Sequence, residues 1–475
     1  MNPLYFPLTR MNHKGFQKLI DILYRPRNCT ERPRPMPIII LIPTIVCIWA
    51  LFRDSTQKAF LNVFLPIFML FPVYYFWKVS SLPPIDLSEA TLIPLGVAML
   101  IKDMPRWKIS TMDVSIAVFV FTSYYADSIA GRGVASIFNL FSSLCLVVVP
   151  YMAGKVLIEQ TGSRVATVKR IVILLFVASL IAAYEYRMGQ NPFTLVWARF
   201  FPGESFAWKT QIRWGFGRVS GPYGQSELAG MMLFFGLVLA LWLGFNKYWE
   251  AKFSRARWLP FSKGTVIAWT IGITLLMTQA RGPWLGSLVA VPIAMIGRSK
   301  NVLRSAILTT LLIVVAGGAS YVGLKKYADA PATSAEQETA SYRSQLVTNY
   351  MPVAVAGGPW GWGTNFPHVG GQGSIDNEYL FVALVQGWVG LAAFCLVAFE
   401  TTARLIAAAV LNRTRRDRYF AYSLLGSFLG ILLTICTVYL GNQPFELFFM
   451  IAGWSQAVMH RESSQPQVSF EHVYT

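Results

Sequence analysis

The chain has 475 residues, of which 54% are hydrophobic and 13% charged, too apolar for a water-soluble enzyme of this size. Its formal charge of +18 would suit nucleic acid, but no basic soluble domain is present to carry that role. The excess of Lys and Arg is read instead as the signal that holds cytoplasmic loops in place.

Residues 1–36 form a basic cytoplasmic tail carrying Arg10, Lys14, Lys18, Arg25, Arg27, Arg32 and Arg34. Phe16, Leu19, Ile20 and Leu23 recur at helical spacing, so 12–25 reads either as an amphipathic helix on the inner leaflet or as a disordered tail. A transmembrane domain follows over 37–460, and 461–475 form a cytoplasmic C-terminal tail. Apolar runs recur along the domain, close to the ~20 residues that a bilayer-spanning helix requires. None alternates as barrel strands must. The expected class is all-α: a polytopic helical membrane protein of about twelve spans, with a large extracytoplasmic loop before the last three.

The expected spans are 37–52, 59–77, 112–128, 133–153, 167–186, 225–246, 264–280, 284–297, 302–320, 377–398, 420–440 and 443–459. Residues 89–101 are apolar but short and contain Pro94, so they read as re-entrant, interfacial or a further span. Most Lys and Arg then fall on one side, notably in the loops 247–263 and 399–419, which sets both termini inside. Two sizeable loops face outward, 187–224 and 321–376. Cys29, Cys47, Cys145, Cys395 and Cys436 lie mostly within apolar runs with no CxxC spacing, so neither a disulfide, a metal site nor a cofactor is expected.

Three outward segments carry candidate chemistry. The first loop ends in QIRWGFGRVSGPYGQSELAG, where Arg213 and Arg218 precede a span and Glu227 opens it. Ordinary interfacial anchoring is the other reading, favoured for Arg213 alone. In TQARGPWLG, Arg281 sits in a short outer turn against the positive-inside bias, which calls for an anionic partner: a carboxylate, a lipid phosphate or a substrate phosphate. In the second loop Arg343 lies in a segment where Tyr342, Leu346, Tyr350 and Val353 recur at helical spacing, predicting a short amphipathic helix. His368 is the only outward histidine, a structural or a catalytic residue. Trp360 and Trp362 read as an interface belt or as a surface for sugar rings. Asp376, Asn377 and Glu378 stand together where the next span begins; acids favour a helix N-terminus, with Asp376 a candidate N-cap, and they are also candidate bases.

Over 187–398 these segments together resemble the bacterial O-antigen ligase and O-antigen/exopolysaccharide polymerase family. RVSGPYGQSELAG is similar to its Arg-containing segment before a central span, and TQARGPWLG to its Thr-x-Ser/Ala-Arg signature. The outer Arg, PWGWG and DNEYL…QGWVG are similar to its last motif. Ligases open that motif with His-Asn, whereas this chain has Asp376-Asn377, which leans toward a polymerase. The resemblance implies a metal-independent glycosyltransferase acting on polyprenyl-diphosphate-linked oligosaccharide at the outer face of the bacterial inner membrane. Its partners would be that lipid-linked substrate, the bilayer and other polysaccharide assembly and export proteins. For that chemistry Arg218, Arg281 and Arg343 are expected to meet the charge of the leaving diphosphate, Arg213, Asn377, Trp360 and Trp362 to bind substrate as well, and Asp376 or Glu378, with His368 next, to act as the base. An O-antigen ligase and, from another class, a lipid-linked oligosaccharide flippase are the alternatives.

Overall fold

The computed structural model describes residues 37–79, 82–201, 210–249, 262–329, 335–370, 372, 374–412 and 414–458. The expected amphipathic helix at 12–25, most of the loop 247–263 and the C-terminal tail lie outside the described residues.

Helices account for nearly all of the regular structure: α1 (Leu41–Arg53), α2 (Thr56–Leu70), α3 (Leu87–Lys102), α4 (Thr111–Ile129), α5 (Gly133–Ile158), α6 (Arg164–Met188), α7 (Ser226–Phe245), α8 (Lys263–Met277), α9 (Arg281–Ile296), α10 (Val302–Asp329), α11 (Ala335–Ala356), α12 (Glu378–Leu411), α13 (Arg415–Thr434) and α14 (Asn442–Val458). A two-residue hairpin, β1 (Ile212–Arg213) with β2 (Phe216–Gly217), pairs antiparallel between α6 and α7.

The all-α expectation holds, but the count of twelve spans is not established. Among the described residues four helices are long and apolar enough to cross a bilayer: α5, α6, α7 and α12. Most of the other apolar runs form shorter helices, among them α1, α2, α8 and α9. The expected span 59–77 ends early, at Leu70, because Phe71 is extended ahead of Pro72. A residue before proline is pushed out of the α region. The doubtful run 89–101 is helix α3, started by a capping box in which Asp86 accepts from the Glu89 amide and Glu89 accepts from the Asp86 amide. The run 302–320 continues as helix to Asp329.

The core lies along α7 and α14, whose side chains are buried almost end to end, with Trp242, Phe234, Phe235 and Trp454 among the largest. The antiparallel pair α9 and α13 approaches most closely through small residues. A Cβ on Gly430 would sit 2.7 Å from the Gly286 carbonyl oxygen, the small-residue contact typical of helices packed in lipid. Around this core, helix faces carry exposed apolar side chains, such as Leu303, Ile307, Leu308, Leu311 and Leu312 on α10. A surface of that kind suits acyl chains and not water.

The two ends of the bundle differ. At one end Arg164 is paired with Glu159 at 2.7 Å and with Asp417, and Trp454 Nε1 donates to Glu159 at 2.8 Å. The basic segment 399–419 lies at this end. The other end gathers the starts of α7, α9, α12 and α14 and the loops between them, and there the candidate residues collect.

Candidate functional site

The hairpin and the loop that follows it are fixed by a carboxylate inside α6. Glu185 is fully buried; its oxygens accept from the amides of Ser220 at 3.1 Å and Gly221 at 2.8 Å, and from the hydroxyls of Ser220 and Thr210, both at 3.0 Å. Four donors satisfy a buried carboxylate that would otherwise be costly. This anchoring sets the path of residues 210–224, and so the direction of two arginines.

Arg218 is buried, with Nη2 2.7 Å from Glu227 Oε1, Nη1 on Gln211 and Nε 3.4 Å from the Thr278 carbonyl. Arg213 Nη1 donates to the carbonyl of Gln279 at 3.1 Å. Both guanidinium groups therefore rest on the turn joining α8 to α9. That turn is tight, with Gln279 at φ 50°, and the Val219 amide ties it to the hairpin through the Met277 carbonyl at 3.2 Å. Arg281, two residues beyond, is the first residue of α9 and is exposed. The pair Arg218–Glu227 gives Glu227 a physical role that its sequence position alone did not supply.

The start of α9 rests against the turn that ends α13. A Cβ on Gly282 would lie 3.3 Å from Thr437 Oγ1 and 3.5 Å from Thr434 Cγ2. The carbonyls of the same turn hold the start of α12: the Glu378 amide donates to Ile435 at 3.0 Å and Asn377 Nδ2 donates to Cys436 at 2.9 Å. Asn377 is the N-cap of α12, its Oδ1 accepting from the Leu380 amide at 3.0 Å, so this role does not fall to Asp376. Glu378 turns inward. It is 2% exposed and accepts from the Leu440 amide at 2.8 Å.

Asp376 faces the other way, toward α11. Its Oδ2 lies 3.6 Å from Arg343 Nη2, and its Oδ1 accepts from Ser374 Oγ at 2.7 Å. The expected amphipathic helix is present as α11 and is longer than the pattern suggested. Leu346, Tyr350 and Ala354 are its buried stripe, packed on Phe366, Leu380 and Leu384. The Tyr342 hydroxyl donates to the Ser374 carbonyl at 2.6 Å, and the Tyr350 hydroxyl to the Gln372 carbonyl at 2.8 Å. α11 thus clamps the strand of chain that leads into Asp376.

The glycine-rich segment 357–365 does something the sequence reading did not foresee. It fills a break in α12. Gly387 sits at φ 68°, ψ −166°, a non-helical conformation inside the helix. In an unbroken helix the Trp388 amide would donate to the Leu384 carbonyl. Here that carbonyl accepts from the Trp362 amide at 2.9 Å, while the Trp388 and Val389 amides donate to the carbonyls of Gly358 at 3.3 Å and Pro359 at 3.1 Å. Two amides and one carbonyl freed by the break are thus answered by the loop, as an apolar surrounding demands. The approach permits no side chain: a Cβ on Gly387 would lie 2.4 Å from the Gly361 nitrogen, and one on Gly361 2.5 Å from the Gly387 nitrogen.

Trp362 is fixed within this loop by its indole donating to the Val353 carbonyl at 2.8 Å, and Trp360 packs edge-on to Tyr125 at 4.8 Å. Asp127, at the end of α4, holds the loop's far side. It is 1% exposed and accepts from the Thr364 amide at 2.8 Å and hydroxyl at 2.9 Å, with Arg132 at 3.4 Å and Asn139 beside it. His368 is exposed, its ring 5.0 Å from Phe366, and no contact joins it to Asp376.

The contacts therefore link Arg213, Arg218 and Arg281 to the turn 278–282, that turn to 434–438, and 434–438 to Asn377 and Glu378, with Asp376 and Arg343 adjoining. Glu185, Asp127 and Gly387 were missed. Each left a trace: a carboxylate near the end of an apolar run in the first two cases, and an isolated glycine within a helical pattern in the third.

Residues 266–395 match the family model described as O-antigen ligase. No curated protein matches the chain. The matched stretch takes in α9, α10, α11, the glycine-rich segment and the first part of α12, and so contains Arg281, Arg343, Asp376, Asn377 and Glu378.

Proposed function

We propose that this chain, which carries a domain of the O-antigen ligase/polymerase family, is a polysaccharide polymerase joining polyprenyl-diphosphate-linked repeat units at the outer face of the bacterial inner membrane. The observation that carries the reading is the seating of Arg213 and Arg218 on the turn that leads into Arg281, beside the turn that holds Asn377 and Glu378. On this reading the set brings cations and a carboxylate to the same end of the helical bundle.

The chemistry follows from that arrangement. A hydroxyl oxygen of the acceptor sugar forms a bond to the anomeric carbon of the donor. The bond from that carbon to the diphosphate oxygen breaks, and polyprenyl diphosphate leaves. Asp376 takes the hydroxyl proton. Arg281 and Arg343 meet the charge that grows on the departing diphosphate, and one preorganised donor at such a charge is worth roughly 3–4 kcal/mol. Arg218, already paired with Glu227, orients the same group from behind. On this reading the diphosphate draws Arg343 from Asp376 and leaves the carboxylate open to the acceptor. The apolar helix faces take the polyprenyl tail, and no metal is needed.

The test is conversion of a purified lipid-linked repeat unit by the purified protein, with and without chelator. Polymer should form in both, and Arg281→Ala and Asp376→Ala should abolish it at normal protein level. Full-length polymer from both variants would end the assignment. In a deletion strain, single repeat units on the lipid support polymerase, whereas long polymer still on the lipid supports the ligase reading. The helix break at Gly387 is the one feature that favours a flippase, since transporters use interrupted helices. Accumulation of the substrate on the cytoplasmic leaflet of the deletion strain would support that alternative.

A further inference from the structure

A cavity of about 580 Å³ opens at the opposite, basic end of the bundle. Its polar wall comes from four elements: Lys108 and Ser110 before α4, Lys155 and Gln160 at the end of α5, Arg404 on α12 and Gln456 on α14. Three cations thus face one space. Lys155 is 4% exposed, lies 2.6 Å from Asp113 Oδ1 and stands 4.1 Å over the Trp107 ring. Arg404 has Glu400 at 2.8 Å. Asp113, which holds Lys155 through both oxygens, lies at the cavity's edge, Glu400 does not line it, and Lys108 forms no ion pair among the described residues. Gln456 is 5% exposed and its Nε2 has no hydrogen-bond partner among the described residues. A buried amide donor left open beside three cations calls for an acceptor-rich anion.

A second, apolar groove of about 510 Å³ adjoins the cavity, sharing Ile109 and Val114 with it and running along α4 to Phe121. Asp113, held by Lys155, sits at the junction. Ile109, Val114 and Phe121 are 87%, 62% and 50% exposed. From 111 to 121 helix α4 rises ~15 Å, the same as the ~15 Å of one leaflet's hydrocarbon. A free phosphate would have no use for that groove, whereas an acyl chain fills it.

We propose that this end of the bundle binds one anionic phospholipid, its phosphate in the cavity against Lys108, Lys155, Arg404 and Gln456, and one acyl chain in the groove along α4. The site is separate from the proposed glycosyl transfer and does not depend on it. Native mass spectrometry of the full chain in detergent, titrated with phosphatidylglycerol, phosphatidylcholine or inorganic phosphate, tests it. One phosphatidylglycerol should be retained, at least tenfold more tightly than phosphatidylcholine. Lys108→Gln and Gln456→Leu should each weaken it about tenfold, and Val114→Trp, which fills the groove, should do the same. Lys108 and Val114 are exposed, so an unchanged unfolding midpoint without lipid confirms that their variants fold. Equal retention of the two lipids overturns the proposal, as does indifference of retention to Lys108→Gln and Val114→Trp. Inorganic phosphate held as tightly as phosphatidylglycerol, with Val114→Trp silent, overturns the lipid assignment in favour of a free-anion site.

Discussion

Arg343 Nη2 and Asp376 Oδ2 stand 3.6 Å apart, each side chain about one-third exposed. That separation is a charge contact and not a short hydrogen bond, so the two groups part at little cost. Arg343→Ala should cut polymer formation by about 10²–10³-fold, the usual effect of losing one donor at a developing anion. Arg343→Lys keeps a point charge without the fork and should retain a larger share. The rate per mole of purified protein decides, and an Ala variant as active as the parent removes Arg343 from the site.

Asp376 and His368 make opposite predictions. Asp376→Asn preserves shape but cannot take a proton, and should lower the rate by about 10²–10⁴-fold. His368→Ala, at an exposed position without contact to Asp376, should stay within about threefold of the parent on the same scale of acid–base effects. Single-turnover rates on purified substrate distinguish the two; a larger loss at His368 would transfer the role of base to it.

Arg218 and Glu227 are tested by stability. Glu227→Gln leaves a buried guanidinium without its counter-charge and should destabilise the protein by about 3 kcal/mol. Replacing both, as Arg218→Met with Glu227→Met, should recover most of that loss, because the uncompensated charge is gone. Thermal unfolding in detergent reads both, and a silent Glu227→Gln would mean that the pair carries no net stability.

Gly387→Ala should be severe. It forces a Cβ into the Gly361 backbone at positive φ, costing more than about 2 kcal/mol. Asp127→Asn keeps two acceptor contacts to Thr364 in reach but loses the charge beside Arg132, so its effect should be smaller, about 1 kcal/mol. The order of the two midpoints is the check; Gly387→Ala no less stable than Asp127→Asn contradicts the close approach.

Apolar length and period made the helices legible, and the stripe Tyr342, Leu346, Tyr350 marked α11 because a buried face repeats at helical spacing. Arg281 stood out because its place in an expected outer turn opposes the positive-inside bias. What remained hidden depends on contacts far apart in sequence. The pairing of Arg218 with Glu227 needs the hairpin to fold back, and the anchoring of Thr364 by Asp127 joins residues 237 apart. Local pattern carries no information about such partners. The span count is left unestablished for a related reason. Phe71 before Pro72 stops a helix that hydropathy alone would extend, and Gly387 interrupts one that hydropathy reads as continuous.

The repair of α12 by residues 358–362 also bears on which pieces of the chain are dispensable. Deleting the tryptophan-bearing turn would expose two amides and a carbonyl within apolar surroundings, so it is no removable insertion despite its loop-like composition. The break in α12 and that turn therefore stabilise each other, and a chain lacking the turn would hold the helix less well on both sides of Gly387.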